Sequence, residues 1–436
     1  MAHMASEKRN GPRRVAIVRG LRTPFVKAGS VFSGLTALDL GRLVVQELVQ
    51  KTDLDPNVID QVVFGQVIPT LTAPSIAREV VIAAGLPKKI DAFTVSRACA
   101  TSIQALTTAA NAIATGEADV IIAGGTESMS DAPIFTSRPL AHALVAASKG
   151  RSLPDKLKPF QRLKAKDLLP VPPAIAEYST GMTMGESAEK MAKENGISRE
   201  EQDRIAFNSH RNAAKAWKDG LFDNEVMHVV VPPKFDKTAE RDNIVREDSS
   251  MEALGQLKPA FDRKYGTITA GNASPLTDGA AALLLMSEEK ARALGYEPLG
   301  FLRSHAYAAT DPGDQLLQGP AYAVPTALKR AGMTLADIDL VEMHEAFAAQ
   351  VASNIQALAS QAFAKKAGWS APVGEIDRER LNVTGGSIAI GHPFGATGAR
   401  IVTQAINELK RRNKNTAMCT VCAAGGLGAV VILERA

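Results

Sequence analysis

The sequence predicts an α/β protein built from two similar halves, and three observations carry that prediction. Short apolar strand candidates alternate with helical periodicity along most of the chain. Aromatic residues make up only 5% while glycine contributes 34 residues, which suits cores where helices pack closely on sheets. The order strand, loop, small-residue helix, strand, Gly-Gly occurs twice, once near each end. At roughly 150 residues per domain, 436 residues allow two or three domains.

The first copy opens with a buried strand at Arg14–Arg19 and a helix over Thr36–Gln50, whose Leu40, Leu43, Val44 and Leu48 supply apolar faces. A strand at Ile59–Phe64 follows. Phe93–Val95 leads into Cys99 and a helix to Ala114 that Gly116 ends. Asp119–Ala123 reads as a strand closed by Gly124-Gly125. In the second copy, Asp337–Glu342 is a strand whose Ile338-Asp339-x-Val341 repeats Ile59-Asp60-x-Val62. A helix over Ala396–Leu409 and a strand over Thr416–Val421 follow, then Gly425-Gly426. Between the copies, Ser130–Tyr178 reads as irregular, Pro-rich and basic, with Lys149, Arg151, Lys156, Lys158, Arg162, Lys164 and Lys166 crowded together. Helices at Glu186–Asn195 and Arg199–Asp219 and a loop-rich part over Pro232–Pro259 complete what looks like a large insertion.

Composition excludes several classes. Hydrophobic residues at 45% and charged residues at 22% are ordinary for a globular protein, and 50 − 46 gives a net charge of +4, too mild for general nucleic-acid binding. Three cysteines do not make a disulfide framework and fit a reducing compartment. No apolar run is long enough to span a membrane. Met1-Ala-His-Met-Ala-Ser6 reads as a cloning remnant, so His3 receives no role.

Four places can carry chemistry. Cys99 stands between a strand and the first turn of a helix, where the positive helix end favours thiolate and Arg97 can add to it; the plainer reading is a small buried hydrophobe. The run Gly385–Gly398 contains His392 on a rigid Gly-His-Pro turn, suited to a general base. Its Gly391, Gly395 and Gly398 could cradle a phosphate, although the spacing is neither the dinucleotide fingerprint nor a Walker loop. In Val341–Phe347, Glu345 reads as the first turn of the next helix, or His344 as a strand-end group in the same cleft. Cys419-x-x-Cys422 invites zinc or redox chemistry, but residues three apart in a strand face opposite ways and three cysteines cannot make a four-thiolate site. That leaves Cys419 in the core and Cys422 beside the cleft.

Taken together, these motifs resemble the thiolase superfamily over nearly the whole chain from Arg13. Five signatures in order carry the likeness: Ser96-x-x-Cys99-Ala-Thr-Ser, Ala123-Gly-Gly-Thr-Glu-Ser-Met129, Thr269-Ala-Gly-Asn-Ala-Ser274 with Asp278-Gly-Ala-Ala, Glu345-Ala-Phe-Ala-Ala, and Gly391-His-Pro with Cys422. His344 replaces the usual Asn, and Ala424 replaces a usual Gly. With the basic segment, His-Glu-Ala-Phe is similar to the thiolase (β) subunit of fatty-acid oxidation trifunctional complexes, particularly the bacterial one.

The resemblance implies a five-layer αβαβα sandwich. Its halves would span 13–129 (completed by about 275–298) and 299–436, with a loop domain at 130–274. It implies cleavage of 3-ketoacyl-CoA by CoA, with Cys99 as nucleophile, His392 as base and oxyanion donor, Cys422 as acid/base and His344 holding an oxyanion-hole water. Met184, Arg246, Phe261, Ser274, Ala346, Phe347 and Ala424 would bind substrate and CoA. It implies no metal or resident cofactor, a homodimeric core, a possible α2β2 complex with a hydratase/dehydrogenase α subunit, possible peripheral membrane contact and a cytoplasmic site. The alternatives are a biosynthetic acetoacetyl-CoA thiolase and a non-catalytic lipid-binding or scaffold protein. A decarboxylating ketosynthase would need Cys-His-His and no second cysteine.

Overall fold

The computed structural model describes residues 11–171 and 176–436, so the leading Met1–Ser6 lies outside the described residues, as do four positions of the Pro-rich segment. The chain forms two compact units. One carries the residues up to Asp131 and from Glu177 onward, the other Ala132–Ala176.

The large unit is built from β1 (Val15–Arg22), α1 (Ala37–Lys51), β2 (Gln61–Gly65), α2 (Ile76–Ala83), β3 (Asp91–Val95), α3 (Thr101–Thr115) and β4 (Val120–Glu127). After the small unit, which contains α4 (Arg138–Ser148), come α5 (Met184–Glu194), α6 (Arg199–Lys218), β5 (Thr277–Ser287) and β6 (Gly300–Ala309). The second half adds α7 (Gly319–Ala331), β7 (Leu340–Met343), α8 (Ala348–Ala359), α9 (Thr397–Arg411), β8 (Thr416–Ala423) and β9 (Leu427–Arg435).

The strands run in the order β7-β8-β9-β6-β1-β5-β4-β2-β3. With the edge strand β3 set aside, β2-β4-β5-β1 and β7-β8-β9-β6 are the same arrangement: a parallel pair, then antiparallel partners. The repeated Ile-Asp explains itself in this frame. The Asp60 carboxylate accepts the N–H groups of Asp119 and Val120 at the start of β4, and Asp339 accepts those of Asn415 and Thr416 at the start of β8.

Alternation along the strands divides the core into three apolar layers. Ala280, Ala282 and Leu284 of β5 pack under α1 and α2, whereas Ala281, Leu283 and Leu285 face α3 and α9. Ala417, Cys419 and Val421 of β8 face the same central helices, and Met418 and Cys422 face the layer of α7 and α8. With that one strand order divided at the short β1–β6 pairing into a first-half and a second-half sheet, helices, sheet, helices, sheet, helices make the expected five layers.

Two local expectations change. The strand at β4 does not close at Gly124-Gly125 but runs on to Glu127. The glycines serve close approach: a Cβ on Gly124 would sit 2.3 Å from the Ala281 carbonyl oxygen, and one on Gly125 would sit 2.0 Å from that of Gly395. The segment after Ser130 is not wholly irregular either. Ser137 caps α4 by accepting the Leu140 N–H, and Pro139 falls in the first turn, where its missing N–H costs nothing. Within this small unit the lysines and arginines are exposed, together with Leu144, Val145, Leu153, Leu157, Leu168 and Leu169.

Gly125→Ala should therefore destabilise the protein by about 1–3 kcal/mol. Thermal unfolding beside Gly34→Ala, where a Cβ meets nothing, checks it; equal melting temperatures would show the close approach to be unimportant.

Candidate active site

The site forms where the end of β3, the start of α3 and three loops of the second half converge. Ala98 adopts φ +43, a left-handed conformation that costs a non-glycine residue roughly 1–2 kcal/mol. The turn is held by Arg97 N–H on Thr101 Oγ1 and by Ala100 and Thr101 N–H groups on the Arg97 and Ala98 carbonyls. It lifts Cys99 just ahead of α3. Arg97 itself does not serve the sulfur: its guanidinium stacks on Tyr307 and donates to Gln104.

His392 Nε2 lies 3.2 Å from Cys99 Sγ, and its Nδ1 is 2.7 Å from Thr397 Oγ1. The ring of His344 lies 4.1 Å from that of His392, tilted at 47° to it. Its Nδ1 lies 2.8 Å from Ser387 Oγ, which also accepts Arg400 Nη2, while its Nε2 is buried without a partner among the described residues. Cys422 sits near the end of β8, facing the opposite way from Cys419. One ligand atom each from Cys99, His344 and His392 falls within 4.8 Å of the others.

The loop carrying His392 is pinned by two buried carboxylates. Glu345 accepts from Ile388 N–H, Ser209 and Asn382. Glu127 accepts from Gly395, Val67 and Ile68 N–H groups. Two expectations fall here. Glu345 is not in the first turn of a helix, since α8 begins at Ala348. The glycines of the His392 loop do not cradle a phosphate: Gly395 N–H is taken by Glu127, and a Cβ on Gly398 would strike Ile103 at 2.7 Å.

Electrostatics in this dry pocket favour neutral groups. Burial pushes the Cys99 thiol up to about 12, against the pull of the Ala424 and Cys99 backbone N–H groups and with a further push from Glu127. The expected thiolate-favouring helix end is thus outweighed by desolvation. Burial, with Cys99 nearby, also raises Cys422 well above the ordinary thiol range. Burial and the Arg400 charge lower His392 to about 3, and burial, His392 and Arg400 lower His344. Both shifts run toward thiol and neutral imidazole, with Cys99 itself keeping partial exposure.

A cavity of about 520 Å³ is lined by Arg246, Phe261, Ser274 and Ile388, among others. Ser274 N–H donates to the Ala346 carbonyl, and Phe261 meets Phe347 edge-on at 6.0 Å, so five of the seven proposed binding residues lie in or beside it. Met184 opens α5 and packs on the second-half core without lining this cavity. Ala424 stands at the cysteine pair instead. A second cleft of about 550 Å³ is walled by Arg204, Lys215 and Arg378, but each is already paired, with Glu200, Asp219 and Glu201. Sequence reasoning missed Glu127, Ser387, Thr397, Arg400 and His210. His210 lines the 520 Å³ cavity, where burial and Arg246 lower it to about 4. Glu127 lay in a quoted signature without a role.

This fold with two cysteines and two histidines at one point defines an acyl-transferring enzyme, and the chain belongs to the thiolase family. Residues 15–289 match the family model described as Thiolase, N-terminal domain, and residues 296–435 match Thiolase, C-terminal domain. Among curated relatives, a "3-ketoacyl-CoA thiolase" of Shewanella amazonensis is 54% identical over 422 residues, 97% of each chain. One of the same name from Serratia proteamaculans matches at 54% over the same share. The crystal structure of the Bacillus anthracis acetyl-CoA acetyltransferase superposes with TM-score 0.85 at 33% identity, covering 98% of this chain and 100% of that one.

A neutral resting pair has a direct signature. Alkylation of Cys99 by iodoacetamide should rise about tenfold per pH unit from about pH 7 to about pH 10. A plateau near neutrality would mean a thiolate–imidazolium pair instead.

Proposed function

We propose that the chain is a degradative 3-ketoacyl-CoA thiolase, cleaving 3-ketoacyl-CoA with CoA to acetyl-CoA and a shortened acyl-CoA. The observation that carries this is the 3.2 Å contact of His392 Nε2 with Cys99 Sγ, beside Cys422. His392 takes the thiol proton as Cys99 attacks the 3-keto carbon. The C2–C3 bond then breaks, leaving acyl-Cys99 and the acetyl-CoA enolate. Cys422 protonates the enolate carbon, then takes the proton of incoming CoA, whose thiolate attacks the acyl-Cys99 thioester. A thioester is exchanged for a thioester, so sulfur suits the nucleophile. Moving the Cys99 proton onto His392 runs against both shifts, so the transfer must be coupled to attack on the carbonyl, where the oxyanion donors take up the charge.

The backbone N–H groups of Cys99 and Ala424 both bear on the Cys99 sulfur, as donors for one oxyanion should, and a Gly-to-Ala change leaves such a donor in place. The other oxyanion hole falls to His392 and His344, whose free Nε2 can hold a water there. CoA would lie along the cavity of Arg246, Phe261 and Ser274, next to Ala346 and Phe347, with Arg246 exposed for a phosphate. Met184 belongs to this reading at the pantetheine end. CoA is a co-substrate, and no resident cofactor or metal is required. The loop domain would span 130–274 between the halves, the core would be a cytoplasmic homodimer, and a hydratase/dehydrogenase subunit would join it.

The biosynthetic alternative draws on the Bacillus acetyltransferase likeness, but that stands at 33% identity against 54% for the 3-ketoacyl-CoA thiolases. A non-catalytic scaffold would have no need to hold Cys99, His392 and Cys422 together. The exposed leucines and cations of Ala132–Ala176 support peripheral contact with anionic membrane.

Thiolysis across chain length tests the reaction: failure on every 3-ketoacyl-CoA from short to long sinks it, and preference for acetoacetyl-CoA alone favours the biosynthetic reading. Cys99→Ala should lower turnover by more than about 10³-fold and abolish the acyl-enzyme seen by mass spectrometry. Cys422→Ala should keep slow thioester exchange and lose C–C cleavage. Cosedimentation with anionic vesicles should fall with added salt, and no binding at low salt would remove the membrane contact.

A further inference from the structure

The two imidazoles and the thiol at the centre of the site also form a ligand set. Each histidine uses Nδ1 on a hydroxyl, Ser387 Oγ for His344 and Thr397 Oγ1 for His392. Both Nε2 atoms are thereby left for other work. That of His392 meets Cys99 Sγ at 3.2 Å, while that of His344 is fully buried and has no hydrogen-bond partner among the described residues. Buried ring nitrogens without partners are uncommon, because leaving one unmade costs about 1–3 kcal/mol.

We propose that this chain binds a zinc ion reversibly through Cys99, His344 and His392, and that the bound ion blocks substrate. One thiolate and two imidazoles with an open fourth position are a donor set that zinc accepts. Zinc–nitrogen bonds of about 2.0–2.1 Å and zinc–sulfur bonds of about 2.3 Å set ligand separations near 3.3–3.8 Å in a tetrahedron. Cys99 Sγ and His392 Nε2 stand at 3.2 Å and would open by a few tenths of an ångström, and the whole set spans no more than 4.8 Å. His344 must close the rest, about 1 Å, with no Nε2 hydrogen bond to break. Hydroxyl partners on both Nδ1 atoms, with Arg400 behind Ser387, supply the outer hydrogen bonds that orient metal-bound histidines.

Binding releases the Cys99 thiol proton to solvent, forms a zinc–sulfur bond and moves no electrons. The ion then occupies both the nucleophile and the place of the substrate carbonyl oxygen, so inhibition is competitive with acyl-CoA. His344 is what makes the site: an asparagine there would leave a two-ligand remnant. The inhibition half of the proposal rests on Cys99 being the acylated residue; the binding half does not.

Cobalt(II) titration of the intact protein separates the two. We expect one equivalent per chain, an intense thiolate-to-cobalt absorption band, its displacement by zinc, and recovery of thiolysis on adding chelator. His344→Asn should weaken zinc binding by at least about 100-fold and Ser387→Ala by about 10-fold. Cys419→Ser, on the other face of β8, should change neither. Prior acylation of Cys99 by acetyl-CoA should suppress the band in unmutated protein, so the test does not depend on a variant's folding. Absence of the band, or an undiminished band in His344→Asn, overturns the proposal. A full band from protein that cleaves no 3-ketoacyl-CoA would leave the metal site standing and bring down the functional reading alone.

Discussion

The site depends on two buried carboxylates that hold one loop. Glu345 takes the N–H of Ile388 and Glu127 takes the N–H of Gly395, at either end of the turn that carries His392. Burial raises both carboxyls, Glu127 to about 7, and each is compensated by three donors. Such groups are costly to place in a core, and removing their partners would leave a charge stranded. They fix the imidazole to within reach of a thiol from the other half of the chain. A Cβ on Gly386 would overlap Glu345, so small residues and carboxylates are parts of one arrangement.

Much of this was legible in the sequence. Strand and helix periodicity located the elements around Cys99 and Cys422, and strand parity separated Cys422 from Cys419 before any coordinates were needed. The repeated Ile-Asp marked equivalent strands, and its purpose emerged only with the two pairs of N–H groups that Asp60 and Asp339 receive. Glycine was the weaker guide. Gly124, Gly125, Gly395 and Gly398 read as stops or cradles, yet they mark contacts between segments far apart in sequence, which periodicity cannot register.

Electrostatics were the least visible part. A cysteine at a helix start suggests thiolate, but the outcome turns on how much water the folded site excludes, a property of all five layers together. Arg97 illustrates the same limit, because its stacking on Tyr307 depends on a strand roughly two hundred residues away, although Gln104 lies only one helix turn or two beyond it. Arg400 and Ser387 lay in plain view near His392 and acquired meaning only when His344 bonded to Ser387 beside them.

The duplicated architecture has one asymmetric consequence. The first repeat supplies Cys99, whereas the second supplies His344, His392 and Cys422. Neither half holds all four of these side chains, so substitutions on opposite sides of the seam between the halves must be read in pairs.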